Sequence, residues 1–198
     1  MTYSLGEVEA LARKATRGAG FSWGMADEAG KTVRWLCRQG LPGAAALAGY
    51  LDSQQDAQGP DSPMLPDWSA AGALCPLICG ALVSDLGAAS VERHLHNLAW
   101  PILFLPHIGH HMRLAWDSVT CSIDDNVHIS GEPMTPMASL VTLMQSQDVT
   151  GVACTATTRA TLAPDVLATL NRFAARTYAP ETDASKRSGA GAGLKDED

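Results

Sequence analysis

Residues that could do chemistry are concentrated between Arg17 and Trp35, in the sequence RGAGFSWGMADEAGKTVRW. On a helix that begins near Ser22, Glu28 and Trp35 fall on one side, away from the apolar arc. A carboxyl group beside an aromatic ring can have its pKa raised and serve as an acid or base. We therefore predict that Glu28 is catalytic and that Trp35 belongs to the same surface. The alternative is a partly exposed glutamate beside a tryptophan that packs under neighbouring strands.

A glycine-rich turn precedes this helix. Such a turn exposes backbone N–H groups and the positive end of the helix dipole, which suit a carboxylate or a phosphate. We predict that a small anionic molecule binds there, with Arg17 as the counter-charge. The predicted ligand-binding residues are Arg17, Gly18, Gly20, Ser22, Trp23 and Trp35. The alternative is a tight helix–helix turn, which needs the same glycines.

Ser22 has two interpretations. Residues 20–24, Gly-Phe-Ser-Trp-Gly, fit the G-x-S-x-G pattern of a hydrolase nucleophile. That motif requires a strand before the serine, whereas the preceding segment is an amphipathic helix. A helix N-cap, whose hydroxyl accepts a backbone N–H, is therefore favoured. The turn also lacks the Lys-Ser/Thr ending of a phosphate-binding loop, so nucleotide binding is not supported.

The histidines do not form a recognisable metal motif. No HExxH or similar spacing joins them, and we predict no metal site. His107 is the one that could lie near a pocket, because it follows an apolar run predicted to be a buried strand. The sequence leaves any cofactor unknown. The full set is His94, His96, His107, His110, His111 and His128.

Composition limits the partners and the compartment. The net charge is −7, and no basic cluster exceeds Lys186-Arg187, which argues against nucleic acids and anionic membranes. The longest apolar run, residues 70–83, is too short to span a bilayer, and we predict no membrane association. The odd number of cysteines, with Cys75 and Cys79 as buried free thiols, does not suggest a disulfide framework. With no signal peptide recognisable at the start, we expect a cytoplasmic protein.

Periodicity predicts the elements. Ser4 and Glu7 form a capping box that starts a helix at about 5–17. Further helices are predicted from Ser22, from Pro42 to about Leu51, within 69–90, and from Pro164 to Pro180. Predicted strands are a buried one at Trp100–Pro106, an antiparallel meander over 111–129, and two more at 140–144 and 149–155.

These elements define the predicted architecture. The fold class is α+β, in which an N-terminal helical hairpin and further helices pack on a mostly antiparallel sheet. A C-terminal helix and a glycine-rich tail follow. We predict a single globular domain over residues 1–180 and a flexible or docking tail over 181–198.

Two stretches carry a resemblance to known proteins. GAGFSWGMADEAGKTVRWL near the start and TYAPETDASKRSGAGAGL near the end, in a chain of 198 residues, resemble a family of uncharacterised bacterial proteins, a domain of unknown function. The resemblance covers essentially the whole chain. Members of that family tend to end in Gly-Leu-Thr-Asp-Asn-Asp, where this chain has Lys195 and Glu197 in place of the Thr and the Asn. The resemblance implies no activity, so it assigns no catalytic role.

Two functional hypotheses follow. The first is a protein of small-molecule metabolism, possibly an enzyme, that binds an anionic metabolite at Gly18–Trp23. The second is a non-catalytic accessory or oligomeric subunit that uses the Glu28–Trp35 side of the helix as an interface, with a second copy or an enzyme as its partner. Aromatic residues beside arginine are typical interface anchors, and Trp35 adjoins Arg34.

Overall fold

The computed structural model describes residues 1–54, 62–65, 68–86 and 92–178. The predicted tail at 181–198 lies outside these residues. The described α-helices are α1 (Leu5–Gly18), α2 (Trp23–Arg38), α3 (Gly43–Ser53), α4 (Pro76–Leu86) and α5 (Pro164–Ala174). Short 3₁₀ helices cover Pro101–His107 and Ala175–Thr177.

Serine caps set the start of the first two helices, as predicted. The Ser4 hydroxyl accepts the Glu7 N–H at 3.2 Å, while the Glu7 carboxylate accepts the Ser4 N–H at 2.7 Å. These hydrogen bonds lower the pKa of Glu7. The Ser22 hydroxyl accepts the Met25 N–H at 3.3 Å and caps α2. Each cap satisfies a backbone donor that the helix leaves without a partner.

The strands form two antiparallel sheets. They are β1 (Thr2–Ser4), β2 (Arg93–Ala99), β3 (Met112–Trp116), β4 (Val119–Ile123), β5 (Val127–Ser130), β6 (Met137–Gln145), β7 (Val152–Ala153) and β8 (Arg159–Thr161). The larger sheet has the order β2-β6-β3-β4-β5-β7, and the predicted meander is its β3-β4-β5 part. The smaller sheet pairs β1 with β8. The α+β class is confirmed.

The predicted strand at Trp100–Pro106 is wrong, because this run forms the 3₁₀ helix Pro101–His107. Trp100 has a φ of 42°, and this left-handed conformation ends β2. Pro101 and Pro106 have no N–H to give to a neighbouring strand. An apolar run of this length does not distinguish a strand from a buried helix. The buried side chains are Pro101, Ile102, Leu103, Phe104 and Leu105.

One contiguous core joins the helices to the larger sheet. Buried sheet residues such as Leu114 and Trp116 belong to the same cluster as Leu36 of α2 and Phe173 of α5. Helix α1 packs against both α2 and α5. In the described part of the chain, none of the helices combines the length and apolar character needed to cross a membrane.

Candidate functional site

The α1–α2 turn is a tight helix connection. Gly20 has a φ of 101°, a conformation that glycine adopts without strain. Phe21 is buried and its ring lies 6.3 Å from that of Tyr50, which anchors the turn in the core. At Gly18, a Cβ atom would overlap the Phe173 carbonyl. Gly18 is therefore needed for the close approach of α1 to α5, and both glycines have a structural role.

The same turn borders a shallow surface depression of about 330 Å³. We call it the arginine depression, and its lining residues are Arg17, Gly18, Gly20, Trp23, Arg176 and Thr177. Four of the predicted ligand-binding residues thus lie together. Arg176 and Thr177 follow α5 and were not predicted, because only the α1–α5 packing brings them there. The sequence signal that could have indicated their position is Gly18, because a glycine permits the close approach of α1 to α5.

Aromatic rings lie beside both guanidinium groups. Arg17 Nη1 donates to the Phe21 carbonyl at 2.7 Å, and its guanidinium lies 5.1 Å from the centre of the Trp23 ring. The Arg176 guanidinium lies 4.6 Å from the centre of the Phe173 ring. Trp23 is 61% exposed, so its indole is also available to another molecule. These contacts orient cations without neutralising them.

Arg17 and Arg176 have no ion-pair partner among the residues that the structure describes. Other cations on the helices do have such partners: Arg13 with Asp27, Lys31 with Glu28, Arg34 with Glu9, and Arg172 with Asp52. The depression is therefore a local concentration of positive charge on an acidic protein.

The remaining predicted residues lie outside this lining. Ser22 caps α2. Glu28 is half-buried and accepts a hydrogen bond from Lys31 Nζ at 2.7 Å. Trp35 is half-buried and packs against the core. The structure thus separates Glu28 and Trp35 from the arginine depression, and the interface hypothesis for this side of α2 stays a prediction.

Glu28 belongs instead to a second group of residues, which we call the His107 cluster. Its members are Glu28, Thr32, Gly80, Ser84 and His107. His107 Nε2 lies 3.0 Å from Thr32 Oγ1, and Nδ1 lies 3.3 Å from Ser84 Oγ. Burial lowers the pKa of His107, and the negative charge of Glu28 partly opposes that shift. The sequence pointed to His107 but not to its partners, which come from α2 and α4.

Metal and thiol chemistry have little support in the described residues. They contain no group of three or more His, Cys, Asp or Glu side chains that could hold a metal ion. His94 pairs with Glu92 at 3.4 Å, and His128 with Asp124 at 3.3 Å. The five cysteines, all within described ranges, are free. Burial raises the pKa of Cys79 and of Cys121 to about 12, which makes both thiols poor nucleophiles.

A larger cavity of about 410 Å³ lies between the end of α2, the start of α3 and the β8–α5 connection. Its walls are largely apolar and include Leu41, Pro42, Leu162 and Val166. Arg159 also lines the cavity, and its Nη2 donates to the Thr2 carbonyl at 3.2 Å. This cavity suits an apolar group better than it suits an anion.

Part of the chain is similar to a known protein family. Residues 3–74 match the model of a family described as "Protein of unknown function (DUF3726)". The match includes the α1–α2 turn and Glu28, but neither Arg176 nor the second stretch of predicted resemblance lies within it. No curated protein matches the chain, and no solved structure does. The predicted resemblance is confirmed in this form: over residues 3–74, the chain resembles the uncharacterised family DUF3726.

Proposed function

We propose that this protein binds a small anionic molecule in the arginine depression and acts in small-molecule metabolism in the cytoplasm. One observation carries the proposal. Arg17 and Arg176 border the same depression, and no described carboxylate lies within ion-pair distance of either. Guanidinium groups bind carboxylates and phosphates through paired hydrogen bonds. A bound anion would relieve the repulsion between the two cations.

The chemistry of the lining narrows the ligand class. Trp23 offers an exposed ring beside Arg17, which suits a flat or apolar group attached to the anionic one. The positive end of the α2 dipole lies at Trp23 and adds to the attraction. A phosphate or carboxylate carried on a small ring fits both features. The volume of about 330 Å³ suits a small metabolite.

The state of the cysteines supports the proposed compartment. The five free thiols include four that are buried, and none is joined in a disulfide. Proteins of oxidising compartments commonly join such residues in disulfides, whereas the cytoplasm keeps them reduced. The thiols therefore favour a cytoplasmic protein.

Titration with phenyl phosphate, followed by tryptophan fluorescence, tests the binding proposal. We expect saturable binding that Arg17→Ala and Arg176→Ala each weaken by about tenfold, or about 1.4 kcal/mol. Trp23→Phe should remove most of the fluorescence change. Inorganic phosphate as a second probe tests whether the ring contributes, and it should bind more weakly.

Arg93→Ala is the matched control. Arg93 also lies over a tryptophan ring, 5.2 Å from the centre of Trp68, but it is outside the arginine depression. Phenyl phosphate should bind this variant as it binds the unmodified protein. An equal loss of affinity in Arg93→Ala and Arg17→Ala would contradict a specific site, and so would the absence of saturable binding.

A further inference from the structure

We propose that Ser84 and His107 form a nucleophile–base pair that acts on a small uncharged or cationic carboxylic ester. This activity is separate from the anion site, because none of its residues lines the arginine depression. Ser84 is exposed near the end of α4, and His107 is the last residue of its 3₁₀ helix. A substrate can therefore reach the hydroxyl while the imidazole remains largely sheltered.

The hydrogen bonds around the ring set the roles of its two nitrogens. Thr32 is 2% exposed, and its Oγ1 lies 3.0 Å from Nε2, so it anchors the sheltered side of the imidazole. We assign the proton of the neutral ring to Nε2, which donates it to Thr32. Nδ1 then presents its lone pair to Ser84 Oγ, 3.3 Å away. A nucleophile, a base and a group that orients the base are the required parts of an activated hydroxyl.

Gly80 supplies independent evidence that α4 is shaped around the imidazole. A Cβ atom at this position would overlap the His107 ring. A glycine in a helix interior costs about 1 kcal/mol relative to alanine, so the contact has an energetic cost. Residues four apart lie on one face of a helix, which places Ser84 on the same face as Gly80. The absent side chain therefore lets the ring rest against the face that carries the hydroxyl.

The surroundings of His107 allow its imidazole to act as a base at neutral pH. Burial lowers the pKa of His107 from its ordinary value of 6.5, so the ring is neutral and can accept a proton. Among the charged groups that the described residues of α2 and α4 contribute, the Glu28 carboxylate acts on the ring. Its charge favours the imidazolium that forms when Ser84 loses its proton. Although Glu28 is paired with Lys31, its carboxylate is the charge that acts on the ring and it disfavours an anionic substrate there, which is why the proposed ester is uncharged or cationic.

The chemical step conserves atoms and charge. Ser84 Oγ bonds to the carbonyl carbon as its proton moves to His107 Nδ1. The tetrahedral adduct collapses, the bond to the alcohol oxygen breaks, and the alcohol leaves with the proton from Nδ1. Water then attacks the acyl-serine, passes a proton to Nδ1 and releases the acid. The proton returns to Ser84, so the cycle needs only the ester and water.

An alkyl fluorophosphonate tests the pair in the full-length protein, because it marks activated serines as fluoride leaves. Peptide mass spectrometry should find the label on Ser84. His107→Gln should slow labelling by about 100-fold, within the range for loss of a general base. Thr32→Val should also slow labelling, and Thr32→Ser should restore most of the rate. The labelling rate should rise with pH through an inflection below 6.5, the ordinary pKa of histidine.

The Ser84→Ala variant and a control variant, Ser53→Ala, show whether the reaction occurs at Ser84. Ser84→Ala should remove the label and lower the hydrolysis of 4-nitrophenyl acetate by about tenfold or more. Ser53→Ala is the control, because Ser53 also lies at a helix end but donates to the Tyr50 carbonyl at 2.7 Å. It should leave both rates as they are. An unlabelled Ser84 in the unmodified protein, or equal labelling in a folded His107→Gln variant, would overturn the proposal.

Discussion

The arginine depression holds charged groups at the surface, whereas the His107 cluster keeps an ionisable group neutral in a sheltered position. Both include residues of α2. The depression lies at the start of the helix, is open to solvent, and holds two guanidinium groups without a described carboxylate partner. The cluster lies further along, at Thr32, and shelters an imidazole whose pKa is lowered by burial. Cations at an open surface keep part of their hydration and can attract a ligand from solution, whereas a buried ring is held neutral and can accept a proton.

The two regions also depend on glycine in different ways. Gly18 is close to a backbone carbonyl of another helix, which cannot move without shifting that helix. Gly80 is close to a side-chain ring, which can rotate away. Substitution at these positions therefore compares a rigid contact with an adjustable one.

The largest effect is expected for Gly18→Ala. The added methyl group would overlap the Phe173 carbonyl and push α1 from α5, at a net cost of about 2–3 kcal/mol in unfolding free energy. Urea denaturation measures this change, and phenyl phosphate affinity should fall because Arg176 moves with α5. Gly24→Ala is the control, since its Cβ would meet open space. Equal stabilities of the two variants would show that the close approach of α1 to α5 is not required.

A smaller effect is expected for Gly80→Ala. The methyl group displaces the imidazole, but the gain in helix propensity offsets part of the cost, which leaves about 1 kcal/mol. Fluorophosphonate labelling of Ser84 should fall much more than stability does. Phenyl phosphate affinity should not change, which separates the two regions. A variant with full labelling would show that the position of the ring does not control Ser84.

The stability of the protein should depend on pH through His107. The folded-state pKa of His107 lies below its ordinary value of 6.5, so the unfolded chain binds more protons as pH falls through that value. The stability that His107 contributes is complete above 6.5 and is lost as pH falls through the lowered pKa. Thermal unfolding between about pH 5 and 7.5 should show this slope, and His107→Gln should flatten it. The lowered pKa values of Glu7 and Asp124 act at lower pH, below 4.5. An unchanged slope in the variant would contradict the assignment.

The smallest effect is expected for Arg34→Ala. Arg34 Nη1 lies 2.7 Å from Glu9 Oε2, but both side chains are partly exposed. Removing such a pair should cost about 0.2–1 kcal/mol, and 1 M salt should reduce the difference. Phenyl phosphate affinity should stay the same, in contrast to Arg17→Ala. A loss of affinity in Arg34→Ala would mean that general positive charge, and not the arginine depression, attracts the anion.

Local signals in the sequence predicted the local parts of the structure. The serine caps of α1 and α2 depend on neighbours three residues away, and the β3-β4-β5 meander depends on alternation and short turns. Strand β2 was not predicted, because its partner β6 comes some forty residues later. The 3₁₀ helix was mistaken for a strand because an apolar run records burial and not backbone conformation.

In the two sites as well, contacts between residues close in sequence were predicted and long-range contacts were not. Arg17 and Trp23 are six residues apart and could be grouped from sequence alone, whereas Arg176 joins them through packing between α1 and α5. Thr32 and His107 are 75 residues apart, and no periodicity connects them. On α2 itself, Lys31 pairs with Glu28, whereas Asp27 pairs with Arg13 of α1 because the two helices pack together.

The pairing of β1 with β8 joins the first residues of the chain to residues near 160. Residues 3–74, which match the family, contain most of β1 and the whole of α1, yet the strand partner of β1 and the helix partner of Gly18 both lie beyond residue 150. A recombinant fragment cut at the matched boundary would expose the edge of β1 and the α5-facing side of α1. We therefore expect that the matched range does not fold as a unit without the C-terminal part of the chain.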